Sequence, residues 1–531
     1  MPSSGSYRVK QLNPSELRET GSNSPTPDRV SVNESGDGPP APPPPPAYHE
    51  SLGPRLSALP RHMQMYRQQS VATTTTISSF TEAEYKDQDQ IMKQNDPMKN
   101  RRVGSDRTLI NIAKGMIGPG CFSLPLAFRF GGLWTGILLT VLIGMLTTHS
   151  MCLLVHCAQY LCTRSGRVEL DYGHLAKKAI DYGPLRWRRH SRTALYVTNS
   201  FLIVYQMGVC SVCFVFMGSN LYKVITALTN CSVQLTTQQW IAIVLLPVIL
   251  LNLVRKLRVL AYFSAIGNIF LIIGFIIVFQ YIARPPNDIQ IDHTWFGDFH
   301  NLVLFLGSVL YSFEGQAMIL PMENRMTNPD DLCRNFGVLH TAMGLTILIY
   351  VAIGFFGYAK FGLATAGSIT LNLPDEPLYQ AVVIVMVLVI FFGMPVQEFV
   401  IISALWPSIR RKLPSRLKEQ PVGLILEYCF RFVAILFQFV LGMVIPHLDL
   451  IIPLVGVTAG MMISFVMPAA LDMITFWNFW ELEFTPLRRW AIIAKDCLIV
   501  ALGVFGIIAG LYVNISQIVN FTDDGSDQVK C

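Results

Sequence analysis

After about residue 105 the apolar residues gather into eleven long stretches, each close to the ~20 residues a helix needs to cross a bilayer. The stretches run 108–128, 133–160, 193–228, 238–254, 260–283, 300–321, 337–360, 378–405, 422–445, 449–475 and 491–514. Such a pattern predicts an all-α, polytopic membrane protein of about eleven transmembrane helices. Residues 1–105 lack this periodicity and are rich in Ser, Pro, Gln and Asn. A segment of that kind cannot bury enough surface to offset its ordering entropy, so it reads as a disordered cytoplasmic N-terminal tail.

Two of the eleven stretches are interrupted. The first carries Gly115, Gly118, Pro119 and Gly120 inside N-I-A-K-G-M-I-G-P-G-C-F-S-L-P, residues 111–125. Glycine and proline weaken helical backbone, and a break at membrane depth frees N–H and C=O groups that cost several kcal/mol each unless something satisfies them. The sixth stretch is broken by Tyr311, Ser312, Phe313, Glu314, Gly315 and Gln316. An ionised Glu314 there would cost at least about 2.5 kcal/mol and so needs a partner or a proton. Either break alone also fits a kink, a glycine packing face or a structural Glu. As a pair they open two consecutive five-span sets, residues 106–283 and 284–475. Five is odd, so the second set enters from the opposite face, giving a 5+5 inverted repeat whose broken helices meet near the midplane. An eleventh helix, 476–514, and a short non-cytoplasmic tail, 515–531, complete the chain.

Composition agrees: 51% of residues are hydrophobic, 14% are charged, and mean hydropathy is +0.42. The net charge of +6 is not a nucleic-acid signal, because Lys and Arg cluster in alternate loops. Arg164 to Arg192, Arg255 to Arg258, Arg410 to Lys418 and Arg488–Arg489 are basic, whereas the loops around Asn230 and Asp375 lack Lys and Arg. The positive-inside rule then places the N-terminus in the cytoplasm and the C-terminus opposite. Sequons at Asn230 and Asn520 fall on that same far side as candidate glycosylation sites. The first hundred residues hold no apolar h-region, so no cleavable signal peptide is expected.

Little other chemistry is written in the chain. No phosphate-binding loop, metal-ligand spacing or nucleophile–base pattern stands out, which argues against a primary pump, a metal site and an enzyme; no repeated filter residues suggest a channel. In the tail, P-P-P-P-P-A-Y ends in Pro45, Pro46 and Tyr48, a polyproline II ligand pattern for WW domains. It reads either as a recruitment site for a WW-domain ubiquitin ligase or as a linker with no partner.

The motifs L-I-N-I-A-K-G-M-I-G-P-G, H-S-M-C-L-L-V-H-C-A-Q (149–159), D-Y-G (171–173), S-F-E-G (312–315), L-P-M-E-N (320–324) and G-S-I-T-L-N-L-P (367–374) occur in order. Together they resemble the proton-coupled amino acid transporter family of the amino acid/auxin permease group, over about residues 108–514. The resemblance implies a LeuT-type amino acid permease core plus one helix, carrying small neutral amino acids, often with protons, at the plasma or endolysosomal membrane. Three departures stand out. The family's histidine in the first helix is Asn111 here, which cannot titrate near neutral pH. Its G-T-G is Gly118-Pro119-Gly120, which stiffens the turn and removes a donor. Its outer-loop disulfide keeps Cys231 but lacks the second cysteine after Pro374; Cys531 is a conceivable substitute, with a free thiol or an intermolecular bond as equal alternatives.

On this reading backbone groups at Gly115, Ile117, Gly118 and Gly120 receive a substrate carboxylate, and carbonyls at Tyr311, Ser312 and Phe313 accept its ammonium, with Gly315 keeping the wall open. Glu314 is the candidate coupling or gating carboxylate. Lys114 can pair with it or snorkel to the cytoplasmic face. Tyr205, Gln206 and Gln397 are weaker pocket candidates that can equally serve as helix glue. The expected substrate is an amino acid, with no cofactor and a proton as the coupling ion in question. The competing class is an amino-acid-sensing receptor with little net flux, using its tail as a platform.

Overall fold

The computed structural model describes residues 103–523 apart from 167–168, 231, 233–234, 255–256, 285–294, 314, 335 and 415–421. Pro45, Pro46 and Tyr48, Cys231, Glu314 and Cys531 therefore lie outside the described residues. Those that are described are almost wholly helical, with one isolated bridge between Val103 and Met326.

The first apolar stretch is split. Helix α1, Ser105–Met116, gives way to a 3₁₀ turn, Pro119–Ser123, and then to α2, Leu124–Gly131. Asp106 in the first turn of α1 and Lys114 in its last suit the helix dipole. Pro125 is tolerated in α2 because it lies in the first turn, where a missing N–H breaks no helical bond. Gly132, at φ +80°, ends α2 and lets α3, Leu133–Ser165, turn back. The sixth stretch is split likewise, into α8, Phe299–Ser312, and α9, Gln316–Glu323.

Between these come α4, Tyr172–Tyr182; α5, Ser191–Leu228; α6, Thr237–Asn252; and α7, Leu257–Ala283. After them come α10, Val338–Phe361; α11, Pro377–Lys412; α12, Val422–Val444; α13, Leu448–Val455; α14, Met467–Glu483; and α15, Pro486–Asp523. Among the described residues nine helical segments are long and apolar enough to span a bilayer; α6 is a shorter apolar helix, and the halves of the first stretch are shorter still. This is a multi-pass membrane protein.

Two features were absent from the sequence reading. The basic second loop contains α4, whose N-cap Asp171 accepts the His174 N–H at 2.7 Å, and whose Gly173 lies against Asn199 of α5. This explains the D-Y-G motif as a helix start and a close contact. The tenth stretch is not a uniform α-helix either. Gly456–Gly460 and Met462–Val466 are π-helical, linking α13 to α14.

Burial separates centre from rim. The most apolar windows of Phe299–Glu323 and Leu448–Glu481 are 76% and 83% buried, against 28% for Ala265–Ala283 and Val422–Val444. Spans six and ten therefore form the middle of the bundle, and α7 and α12 lie at its edge. The rim helix α12 still buries Glu427, Arg431 and Gln438 on one face. Arg431 pairs with Glu427 at 3.1 Å and donates to the Asn252 carbonyl, while Gln438 donates to Glu398 at 2.6 Å. Polar groups inside a membrane protein are held in this way, against one another and against backbone.

At the centre, α8 and the π segment touch through glycines. A Cβ on Gly456 would sit 1.9 Å from the Gly307 carbonyl oxygen, and one on Gly307 would sit 2.4 Å from that of Pro453. Gly456→Val is thus expected to lower the thermal midpoint of the detergent-purified protein, with an overpacking cost of about 1–3 kcal/mol or more. Gly344→Ala is expected to leave the midpoint unchanged or raise it, because a Cβ there meets nothing within 4 Å.

Candidate functional site

The two breaks meet. Met116 ends α1, the carbonyl of Ser312 ends α8, and the hydroxyl of Tyr350 on α10 lies 2.6 Å from both carbonyl oxygens. A phenol has one proton, so the two carbonyls share a single donor, held by a side chain with no solvent exposure. A second tie runs directly between the breaks: the Ser312 hydroxyl donates to the Gly120 carbonyl at 2.7 Å, with its own Ser308 carbonyl as the alternative acceptor at 2.9 Å. The Ser123 hydroxyl also reaches Gly120 O at 2.7 Å. Carbonyls that the interruptions free from helical pairing are thus satisfied by hydroxyls, which is what backbone at membrane depth requires.

The glycines of the breaks have different reasons for being there. Gly120 packs on backbone: its Cβ would lie 2.8 Å from Cα of Ser312 and 3.2 Å from the Tyr311 ring. Gly115 and Gly315 form a reciprocal arrangement. The side chain missing from Gly115 is replaced by the Met318 methyl, and that missing from Gly315 by the Met116 methyl, with Met151 beside it. Gly315 was expected to keep a wall open; instead its space is filled by a methionine of the opposite break. Gly118 faces open space, with nothing within 4 Å of a Cβ, and its backbone is extended.

Of the other sequence candidates, Asn111 and Lys114 are exposed on α1 and Ile117 is half-buried, while Tyr311, Ser312 and Phe313 are buried together with Gly120 and Gly315. The Phe313 ring lies 4.9 Å from that of Tyr350. Gln206 donates to Gln397 at 2.6 Å, so these two tie α5 to α11. Tyr205 is buried beside Gly460 of the π segment. Asn230 and Asn520 are exposed, Asn230 with φ +47°.

Sequence reasoning missed Tyr350. The available signal was its hydroxyl in the middle of an otherwise apolar stretch, where a phenol needs a partner. It also missed a cavity of about 880 Å³ beside α2 on the Asn230 side, lined by Arg129, Lys223, Asp375, His447 and Asp449 among others. The G-S-I-T-L-N-L-P motif forms its wall. Lys223 Nζ donates to the carbonyls of Thr370 and Leu373, and Arg129 donates to the Thr365 carbonyl at 2.8 Å. Asn372 closes the loop on itself, accepting from Ala366 N and donating to Ala364 O, each at 2.8 Å.

Tyr350→Phe keeps the ring and removes the shared proton, so the Ser312 carbonyl loses its tie to Tyr350 and the Met116 carbonyl keeps the Gly118 N–H at 2.9 Å. The expected cost is about 1–3 kcal/mol, read as a lower thermal midpoint of the purified protein. An unchanged midpoint would show that the hydroxyl does not join the breaks.

The sequence pattern described as "transmembrane amino acid transporter protein" matches residues 102–516. The probable amino acid transporter skat-1 of Caenorhabditis elegans is 34% identical over 415 residues, 78% of this chain and 90% of that protein. The proton-coupled amino acid transporter-like protein pathetic of Drosophila melanogaster is 29% identical over 417 residues, 78% of this chain and 85% of its own. Among solved structures, the inward-facing conformation of Mhp1 is loosely similar, with a TM-score of 0.46 and 10% identity over 80% of this chain and 92% of that one. A family pattern that spans every apolar segment from α1 to α15 means that this chain belongs to the transmembrane amino acid transporter family.

Proposed function

We propose that this chain moves small neutral amino acids across a membrane by alternating access, with the two helix breaks as the substrate site. The observation that carries this reading is the contact of the breaks through Tyr350, Ser312 and Gly120 beside the open space at Gly118. In the first break the Ile117 and Gly118 N–H groups are taken by the Ala113 and Met116 carbonyls and Pro119 has none, so the Gly120 N–H is the group left to meet a carboxylate, while carbonyls around Tyr311 to Phe313 suit an ammonium. A zwitterion presents both groups at the separation of one α-carbon. The descriptions of skat-1 as a probable amino acid transporter and of pathetic as proton-coupled amino acid transporter-like support an amino acid as the substrate.

The reciprocal methionines give the movement a physical form. Met116 and Met318 each fill the place of a side chain on the opposite break, and a flexible thioether can leave and refill such a place at low cost. The cavity beside α2 would be the entrance on the non-cytoplasmic side, where the loop-charge pattern puts Asn230.

Reconstituted in proteoliposomes, the full chain is expected to take up a small neutral amino acid saturably and to exchange it with internal substrate. Gly118→Leu is expected to purify normally, because its Cβ meets nothing within 4 Å, and to lose uptake, because the side chain occupies the substrate space. Saturable binding with neither accumulation nor exchange would favour a receptor; normal uptake by Gly118→Leu would remove the site.

A further inference from the structure

Apart from the breaks and the Glu398, Glu427 and Arg431 group on α11 and α12, a further group of titratable side chains lies buried in the bundle. Asp472 on α14 and Asp496 on α15 are 5% and 0% exposed, and the packing of α14 on α15 brings the two carboxyl groups close enough to repel one another. The Cys157 thiol of α3 donates to Asp472 Oδ1 at 3.7 Å. Lys495 Nζ stands 3.0 Å from Asp496 Oδ1 and 3.1 Å from Nε2 of His149 on α3. Asp496 Oδ2 is buried without a hydrogen-bond donor. The remaining titratable groups facing the cluster are Tyr172 of α4, whose hydroxyl is committed to the Ile463 carbonyl at 2.8 Å, and His340 of α10 near His149.

Two buried carboxyls facing one another cannot both stay ionised cheaply, and neither can donate to the other without a proton. A proton bound by the pair removes one of the two charges and supplies a donor where neither Asp496 oxygen has one. A sodium ion fits poorly, since Lys495 already occupies Oδ1 and the nearby thiol and imidazole are not hard oxygen ligands. His149 and Lys495 are both partly exposed, so they run from the surface of the bundle inward to the pair. A charged group at membrane depth marks an ion route more often than a lipid-facing surface.

The pair also has a mechanical link to the breaks. Asp472 follows the π segments on the same continuous span, and Gln316, the first residue of α9 after the second break, donates to the Ser464 carbonyl within them at 3.5 Å. π-helical turns are strained insertions found often at functional positions, and they can shift register without unfolding the helix. A change of charge at Asp472 and Asp496 therefore acts on the element that also holds the second break.

We infer that Asp472 and Asp496 form the proton site of this transporter, binding one shared proton per cycle in place of the histidine missing at Asn111. No covalent bond is made or broken; the proton enters and leaves by way of His149, and Lys495 is a fixed positive charge beside the pair. This rests on the amino acid transport reading above. The test uses the full chain in proteoliposomes with the amino acid it carries, following uptake from about pH 5 to pH 8 and vesicle acidification with a trapped pH dye. Wild type is expected to acidify the lumen and to gain uptake by up to about tenfold per pH unit, the slope of one titrating proton. Asp472→Asn and Asp496→Asn are expected to flatten that slope and abolish acidification, with net uptake falling far more than exchange.

Purified Asn variants that keep the wild-type slope and acidification would overturn the inference. So would wild-type uptake without acidification, or a sodium dependence that the Asn variants erase; in these cases amino acid transport itself still stands, whereas wild type without any transport would remove that reading first. Should the Asn variants not fold, Lys495→Ala removes a partly exposed cation that opposes proton binding. Its pH profile is expected to move toward alkaline by about one unit, and an unmoved profile would contradict the assignment.

Discussion

One phenolic proton between two carbonyl oxygens is the constraint on which the centre of this protein depends. Interrupting a helix inside a bilayer leaves backbone groups that water cannot reach, and the cost of leaving them unsatisfied is several kcal/mol each. Here carbonyls of the two interruptions meet one common donor, so drawing the breaks apart takes the Tyr350 hydroxyl from at least one of them. Ser312 adds the direct tie to Gly120, and Gly120 must lack a side chain for the backbones to approach so closely. Interruption, pairing and glycine are thus one requirement expressed three times in sequence.

Much of this was legible in the chain. Glycine and proline located the first interruption and the run Tyr311 to Gln316 the second, and the segments Ser105–Met116 with Leu124–Gly131, and Phe299–Ser312 with Gln316–Glu323, flank those places. The glycines were harder to interpret, because a sequence does not say what fills the space of a missing side chain. Gly118 faces open space, Gly120 faces backbone and Gly315 faces a methionine methyl, yet all three look alike when read along the chain.

What could not be read were contacts between residues distant in sequence. Tyr350 stands 38 residues from Ser312 and 234 from Met116, in a stretch whose periodicity reports only that it is apolar. The π turns of span ten leave no compositional trace beyond Gly456 and Gly460, and α4 was hidden in a loop noted only for its positive charge. Asp472 and Asp496 were each an acidic position near one end of an apolar stretch. Only the packing of α3, α14 and α15 brings them together with Lys495, His149 and Cys157.

Hydrogen–deuterium exchange on the purified full chain, with and without a saturating amount of the amino acid it transports, addresses the paired breaks most directly. Slower exchange is expected in peptides covering residues 117–123 and 313–316, where substrate would cover the backbone of both interruptions. Exchange that is unchanged there, or protection confined to segments remote from both breaks, would contradict a site built from the two.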